Sequence, residues 1–123
     1  MSFKLLVLAT GLVAGLSLTA LPAGAEDKTM DMSMPMGDDG PSSRAFSEAN
    51  NKMHKGMMIE YSGNADVDFV RGMIAHHQGA IDMAKVELQY GKDADMRKLA
   101  EGVIKAQEAE ITEMQAWLKA NAK

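Results

Sequence analysis

Met73, His76 and His77 bring a thioether and two imidazoles within about one turn of what reads as a long helix, in a chain that has no cysteine. Thioether sulfur favours Cu(I), and imidazole accepts copper in either oxidation state, so this donor set suits copper better than magnesium, calcium or iron. At about 100° per residue from Met73, Phe69 falls near 320°, His76 near 300°, His77 near 40°, Ala80 near 340° and Ala84 near 20°. Both imidazoles are therefore expected to straddle the stripe that faces the interior. Adjacent helical side chains point about 100° apart, so each imidazole is expected to pair with Met73 or with the facing helix rather than to share one ion with its neighbour alone. Met83 continues the donor face two turns beyond His76.

A second set lies upstream. His54 precedes Met57 by three residues and Met58 by four, so on one helix all three can reach a single ion. An antiparallel neighbour brings this set to the level of His76 and His77, gathering every histidine of the chain at one height. The ordinary alternative is a hydrogen-bonded core histidine beside gap-filling methionine. Seven donors, His54, Met57, Met58, Met73, His76, His77 and Met83, with the three histidines at one height, favour metal over that alternative. Gln107 and Glu110 fall inside the apolar stripe of a later helix, where buried polar groups need partners; they are candidates for hydrogen bonds that orient the imidazoles.

Residues 1–25 form a short charged start at Lys4, an apolar run, and Leu21-Pro22-Ala23-Gly24-Ala25 before Glu26. Small residues at Ala23 and Ala25 make the pattern of a cleaved export signal, so the chain is expected to be periplasmic and to touch a membrane only through the uncleaved signal. An exported soft-metal binder does well with methionine and histidine, because thiols in an oxidising compartment tend towards disulfides. Methionine is the compositional anomaly, with 12 in 123 residues. The acidic balance, 17 Asp and Glu against 13 Lys and Arg, argues against nucleic-acid binding.

Residues 26–41 are polar and lack any core-building period, which predicts a flexible arm. Within it Met30, Met32, Met34 and Met36 repeat at every second position and are expected to capture metal as a secondary site. Residues 42–123 form the helical domain. Phe46, Ala49, Met53, Met57 and Tyr61 mark a first helix, capped by Ser42 or Ser43 and ended by Ser62-Gly63-Asn64. The second runs from about Ala65 to Tyr90, opened by Asn64 or Asp66 and stopped by Gly91. The third runs from Asp93 or Ala94 to near Lys119, with Met96, Leu99, Ala100, Val103, Ile111, Met114, Trp117 and Leu118 as its stripe. Gly72 and Gly79 suggest close approach of a neighbouring helix. No segment alternates like a strand and both connections are short, so the expected fold is all-α, a small up-down antiparallel bundle of three long helices. No zinc-protease motif, phosphate loop, nucleophile elbow or Glu-x-x-His pair points to an enzyme.

The run Asp66-Val67-Asp68-Phe69-Val70-Arg71-Gly72-Met73-Ile74-Ala75-His76-His77-Gln78-Gly79-Ala80-Ile81-Asp82-Met83-Ala84, followed by Gln107, Glu110, Ile111, Met114, Trp117 and Leu118, resembles the CopM-like family of small exported helical bundles. That resemblance covers roughly residues 44–120. It implies a ferritin-like architecture, a role in copper binding and tolerance, and ligand positions at Met73, His76, His77 and Met83 with His54 and Met58 upstream. The resulting expectation is a copper carrier or sequestering protein that binds Cu(I), with Ag(I) as substitute and Cu(II) acceptable to its imidazoles. Its partners would be copper ions, a copper exporter or another periplasmic copper protein, and self-association stays open. Two other classes compete: a Spy-like periplasmic stress chaperone, from Ile111-Thr112-Glu113-Met114-Gln115, and a copper oxidase.

Overall fold

The computed structural model describes residues 37–122. The expected export signal and the methionines at 30, 32, 34 and 36 lie outside the described residues. Three helices make up the fold: α1 (Pro41–Met57), α2 (Ala65–Tyr90) and α3 (Ala94–Asn121). The architecture is an all-α bundle, with no strand among the described residues.

Each boundary has a local cause. Pro41 opens α1, where a fixed φ is already helical and the missing N–H costs nothing. The flanking Asp38 carboxylate accepts from the Gly40 amide and from the Ser43 hydroxyl, so Ser43 braces the entrance instead of capping it. Asn64 caps α2 by accepting from the amides of Asp66 and Val67. Asp93 caps α3 in the same way, through Asp95 and Met96. Arg97 Nη1 donates to the carbonyls of Leu88 and Gly91, closing the orphan C-terminal end of α2.

One boundary departs from expectation. The first helix ends at Met57, not at Ser62, and residues 58–64 run as a connection in which Tyr61 is exposed. Asp68 accounts for that path: it accepts from the amide and hydroxyl of Ser62 and from the amide of Gly63, drawing the connection back onto the first turn of α2. Gly63 makes the bend at φ +83°, a conformation that glycine adopts without strain.

Packing follows from α2 being central. Both α1 and α3 pack on α2 and not on each other. Against α1, the Gly79 backbone lies so close that an added Cβ would stand 2.5 Å from the Met53 sulfur, and one at Gly56 would stand 3.1 Å from the Ala75 Cβ. Lys52 reaches Asp82 at 2.8 Å on the same side. These pairs, with sequence positions falling on one helix as they rise on the other, make α1 and α2 antiparallel. Gly72 has open space around its Cβ position, so only one of the two glycines is explained by close approach. The buried apolar set is Ala49, Val67, Val70, Ile81, Ala84, Val86 and Ala100, mostly small side chains. Met96 and Leu99, expected in the stripe of α3, are exposed because no third helix covers that side.

Candidate metal centre

The two adjacent histidines of α2 have opposite surroundings. His77 is the one buried polar residue among the described residues, whereas His76 is exposed. Their ring centroids stand 6.1 Å apart in an edge arrangement. The expectation that both rings straddle one inward stripe fails for a geometric reason: α2 has two buried faces, not one. Ala75, Gly79, Asp82 and Val86 face α1, while Val70 and His77 meet α3, and at about 100° per residue the buried Ile81 and Ala84 fall on the same side as His77. At about 100° per residue His76 falls on neither face.

His77 Nε2 lies 2.6 Å from Oε2 of Glu110 on α3. A carboxylate only accepts, so Nε2 carries the hydrogen and donates it, which leaves the lone pair of the neutral ring on Nδ1. That Nδ1 is buried and meets no hydrogen-bond partner. An orphaned buried nitrogen is costly unless something is to be held by it. A neutral imidazole whose tautomer is fixed by a carboxylate on its far nitrogen is the usual arrangement of a histidine metal ligand. The donor therefore suits a metal ion that accepts imidazole. Gln107, the other candidate partner, is half-buried beside Gly102, Val103 and Ala106, and Glu110 alone reaches an imidazole among the described residues.

The remaining candidates are dispersed. His54 is exposed on α1, and the α1 face against α2 is built instead from Ala49, Lys52, Met53 and Gly56. Met57 is 38% exposed at the helix end. Met58 lies past that end and is 83% exposed, so the four-residue helical spacing from His54 is not kept. The register of α1 does bring His54 to the height of His76 and His77, since its neighbour Met53 meets Gly79, but on a different side of α2. Met73 is half-buried one turn before His77; Met83 is exposed at 38%. No three His, Asp or Glu side chains among the described residues gather closely enough to hold an ion.

Sequence reasoning counted Met114 only as core. The structure sets it in a groove with Phe69, Val70 and Trp117, one turn along α3 from Glu110. Its signal was the four-residue spacing from Glu110, readable only once Glu110 is known to face His77. Elsewhere, Asp82 is titrated low: partial burial raises its pKa, but hydrogen bonds from Lys52 and Gln78 and the charge of Lys85 outweigh that. Of these contacts the Lys52–Asp82 pair joins α1 to α2.

No helix among the described residues is long and apolar enough to cross a membrane. No curated protein matches the sequence significantly. Residues 17–118 match the family described as a domain of unknown function, DUF305, a match that takes in α1, α2 and all but the last three residues of α3, and the chain belongs to that family.

Proposed function

We propose that this chain is an exported, CopM-like copper-binding protein that sequesters Cu(I) or hands it on, without catalysing a reaction. One observation carries the reading: His77 is buried, its Nε2 is tied to Glu110, and its Nδ1 lone pair is unpartnered with Met73 one turn away. Structural histidines in a core use both nitrogens or face water with one. This one keeps a bare, oriented donor in an apolar interior, where a soft monovalent cation suits it and a strongly hydrated divalent one does not. The absence of cysteine and the abundance of methionine support the same choice. Export through residues 1–25 and capture by Met30, Met32, Met34 and Met36 belong to the proposal, as does delivery to a copper exporter or another periplasmic copper protein. Glu110 orients the ring, and Cu(II) is a weaker competitor because thioether sulfur favours the reduced ion.

Titration of the purified protein with Cu(I), Ag(I), Cu(II) and Zn(II) in competition with a chelator tests the reading. Cu(I) and Ag(I) are expected to bind far more tightly than Zn(II). Zinc bound as tightly as Cu(I), or no binding of either monovalent ion, overturns it.

A further inference from the structure

Because α1 and α3 pack on α2 and not on each other, one side of α2 is left uncovered. Measured from Met73 at about 100° per residue, α1 lies near 210°, the direction of Ala75, Gly79, Asp82 and Val86, and α3 near 50°, the direction of Val70 and His77. Phe69, Met73, His76, Ala80 and Met83 fall between about 280° and 360°, on the open side, at alternating steps of four and three residues. Glu87 and Tyr90 carry the same period to the end of α2. A four-and-three repeat is the pattern of a helix that packs along its length on another helix. The large apolar side chains exposed on α2, Phe69, Met83 and Tyr90, all belong to this stripe, and Phe69 is 64% exposed. The opposite side, at about 120–160°, carries Arg71, Gln78, Lys85 and Gln89 instead. We infer that the stripe is the docking face of a second copy of this chain, which lies antiparallel across it with the two-fold axis at Ala80.

The stripe is complementary to itself. Ala80 stands midway between Phe69 and Tyr90 and is the smallest side chain of the set, so two backbones can come closest there. Turned about that point, Phe69 falls opposite Gly91 of the second copy, beside its Tyr90, and Met73 falls opposite Glu87 of the second copy. His76 falls opposite Ala84 of the second copy, within one turn of its Glu87, so the two polar members of the stripe stand near each other. A parallel pairing would set Glu87 on Glu87 and His76 on His76, juxtaposing like groups along the seam.

Helix α3 extends the same face. Trp117 adjoins Phe69 in a groove at one end of the bundle. Leu99, five turns before Trp117, shares its side of α3 and is 58% exposed towards the other end. The two-fold at Ala80 carries Leu99 of one copy over the Trp117 end of the other, because His77 meets Glu110 and so sets the register of α2 on α3. Covered together, the exposed parts of Phe69, His76, Met83, Tyr90, Met96 and Leu99 amount to on the order of 500 Å² per copy, and a standard stable interface buries roughly 800 Å² per partner with its flanks included. Helices α2 and α3 of both copies then make a four-helix core, which one chain alone does not enclose.

The chain has no cysteine, so a disulfide in Ala80→Cys can only join two chains. With a chelator present to exclude metal-bridged association, the unmutated protein is expected to sediment as a dimer at micromolar concentration. Mild oxidation of Ala80→Cys is expected to give a covalent dimer, since a residue on the axis meets its own copy at disulfide distance. Lys85→Cys, on the opposite side of α2, is expected to cross-link more slowly by on the order of tenfold or more. Ala80→Glu sets two carboxylates face to face at the axis and is expected to sediment as a monomer with its helical content kept. Should Ala80→Glu unfold, the unmutated protein and the two cysteine variants still decide. An unmutated protein that sediments as a monomer, the result if residues 1–36 or a different protein covered the face, overturns the dimer. A dimer that persists in folded Ala80→Glu, or Lys85→Cys cross-linking as fast as Ala80→Cys, overturns this face as its interface.

Discussion

Glu110 decides which nitrogen of His77 is bare. The carboxylate is more than half exposed, so it adds little to stability as an ion pair, yet it fixes the hydrogen on Nε2 of a ring that is nine-tenths buried. Glu110→Ala is therefore expected to lower Ag(I) affinity about 10–100-fold, and to cost up to about 1–3 kcal/mol of stability by leaving the Nε2–H without its acceptor, as checked by chelator competition and circular dichroism. Equal affinity in the variant would make the contact a surface pair with no bearing on metal. Asp68 works the other way, on the fold and not on the metal. Hydrogen bonds from the Ser62 amide and hydroxyl, offset in part by desolvation and then joined by Gly63 and Arg71, hold its pKa below the ordinary carboxylate value. A carboxyl with a depressed folded pKa contributes stability above its unfolded pKa of about 4 and loses it as pH falls through the folded value. The melting temperatures of the natural protein and of Asp68→Asn are thus expected to differ at pH 7 and to converge below about pH 4; a constant gap across that range would refute the linkage. Residue types were legible from sequence here, and the difference between His76 and His77 was not. That difference depends on which side of α2 each neighbour occupies, and the spacing of donors within one helix carries no such information.

At the scale of elements, α2 and α3 could be read almost to the residue because Asn64 and Asp93 are strong caps and Gly91 follows a clear period. The end of α1 was misjudged because the connection after it takes its path from outside the helix, through the Asp68 carboxylate on Ser62 and Gly63. The stripe of α2 was misjudged for a related reason. A helix packed on two sides carries two apolar faces, and a search for one period finds their average. Its two glycines make the point testable. Alanine at either gains up to about 1 kcal/mol of helix propensity. At Gly72 nothing lies within 4 Å of the new methyl, so Gly72→Ala is expected to raise stability by most of that amount. At Gly79 the methyl would meet the Met53 side chain from Cβ to sulfur, with the nearest atoms at 2.5–2.7 Å. Overpacking of that kind costs about 1–3 kcal/mol, so Gly79→Ala is expected to destabilise despite its better propensity. Denaturant unfolding of the two variants checks the sign of each; a gain at both would mean that α1 does not press on α2 at Gly79.

For the whole molecule, the decisive fact is how little is fully buried. Three helices in which α1 and α3 touch only α2 enclose a core of valine and alanine around Ile81, the most deeply buried of the large apolar side chains among the described residues. A small domain with such a core has a narrow margin, and Ile81→Ala is expected to remove about 2–5 kcal/mol of it. An ion held by His77, whose ring Glu110 of α3 orients, acts on the same margin from the other side. An ion bound only by the folded state stabilises it by about 2.7 kcal/mol at a hundredfold excess over its dissociation constant, which offsets a large part of the cavity. In a domain of this size 1 kcal/mol corresponds to roughly 4–8 °C in melting temperature, so Ag(I) is expected to raise the melting temperature of Ile81→Ala by ten degrees or more. The same addition to Ile81→Ala combined with His77→Ala is expected to do far less, because the nitrogen that joins the ion to α2 is gone. Thermal melts followed by circular dichroism, with and without Ag(I), separate the cases. Equal rescue of the single and the double variant would place the stabilising ion elsewhere on the chain, and no rescue of either would mean that the soft cation does not couple to folding.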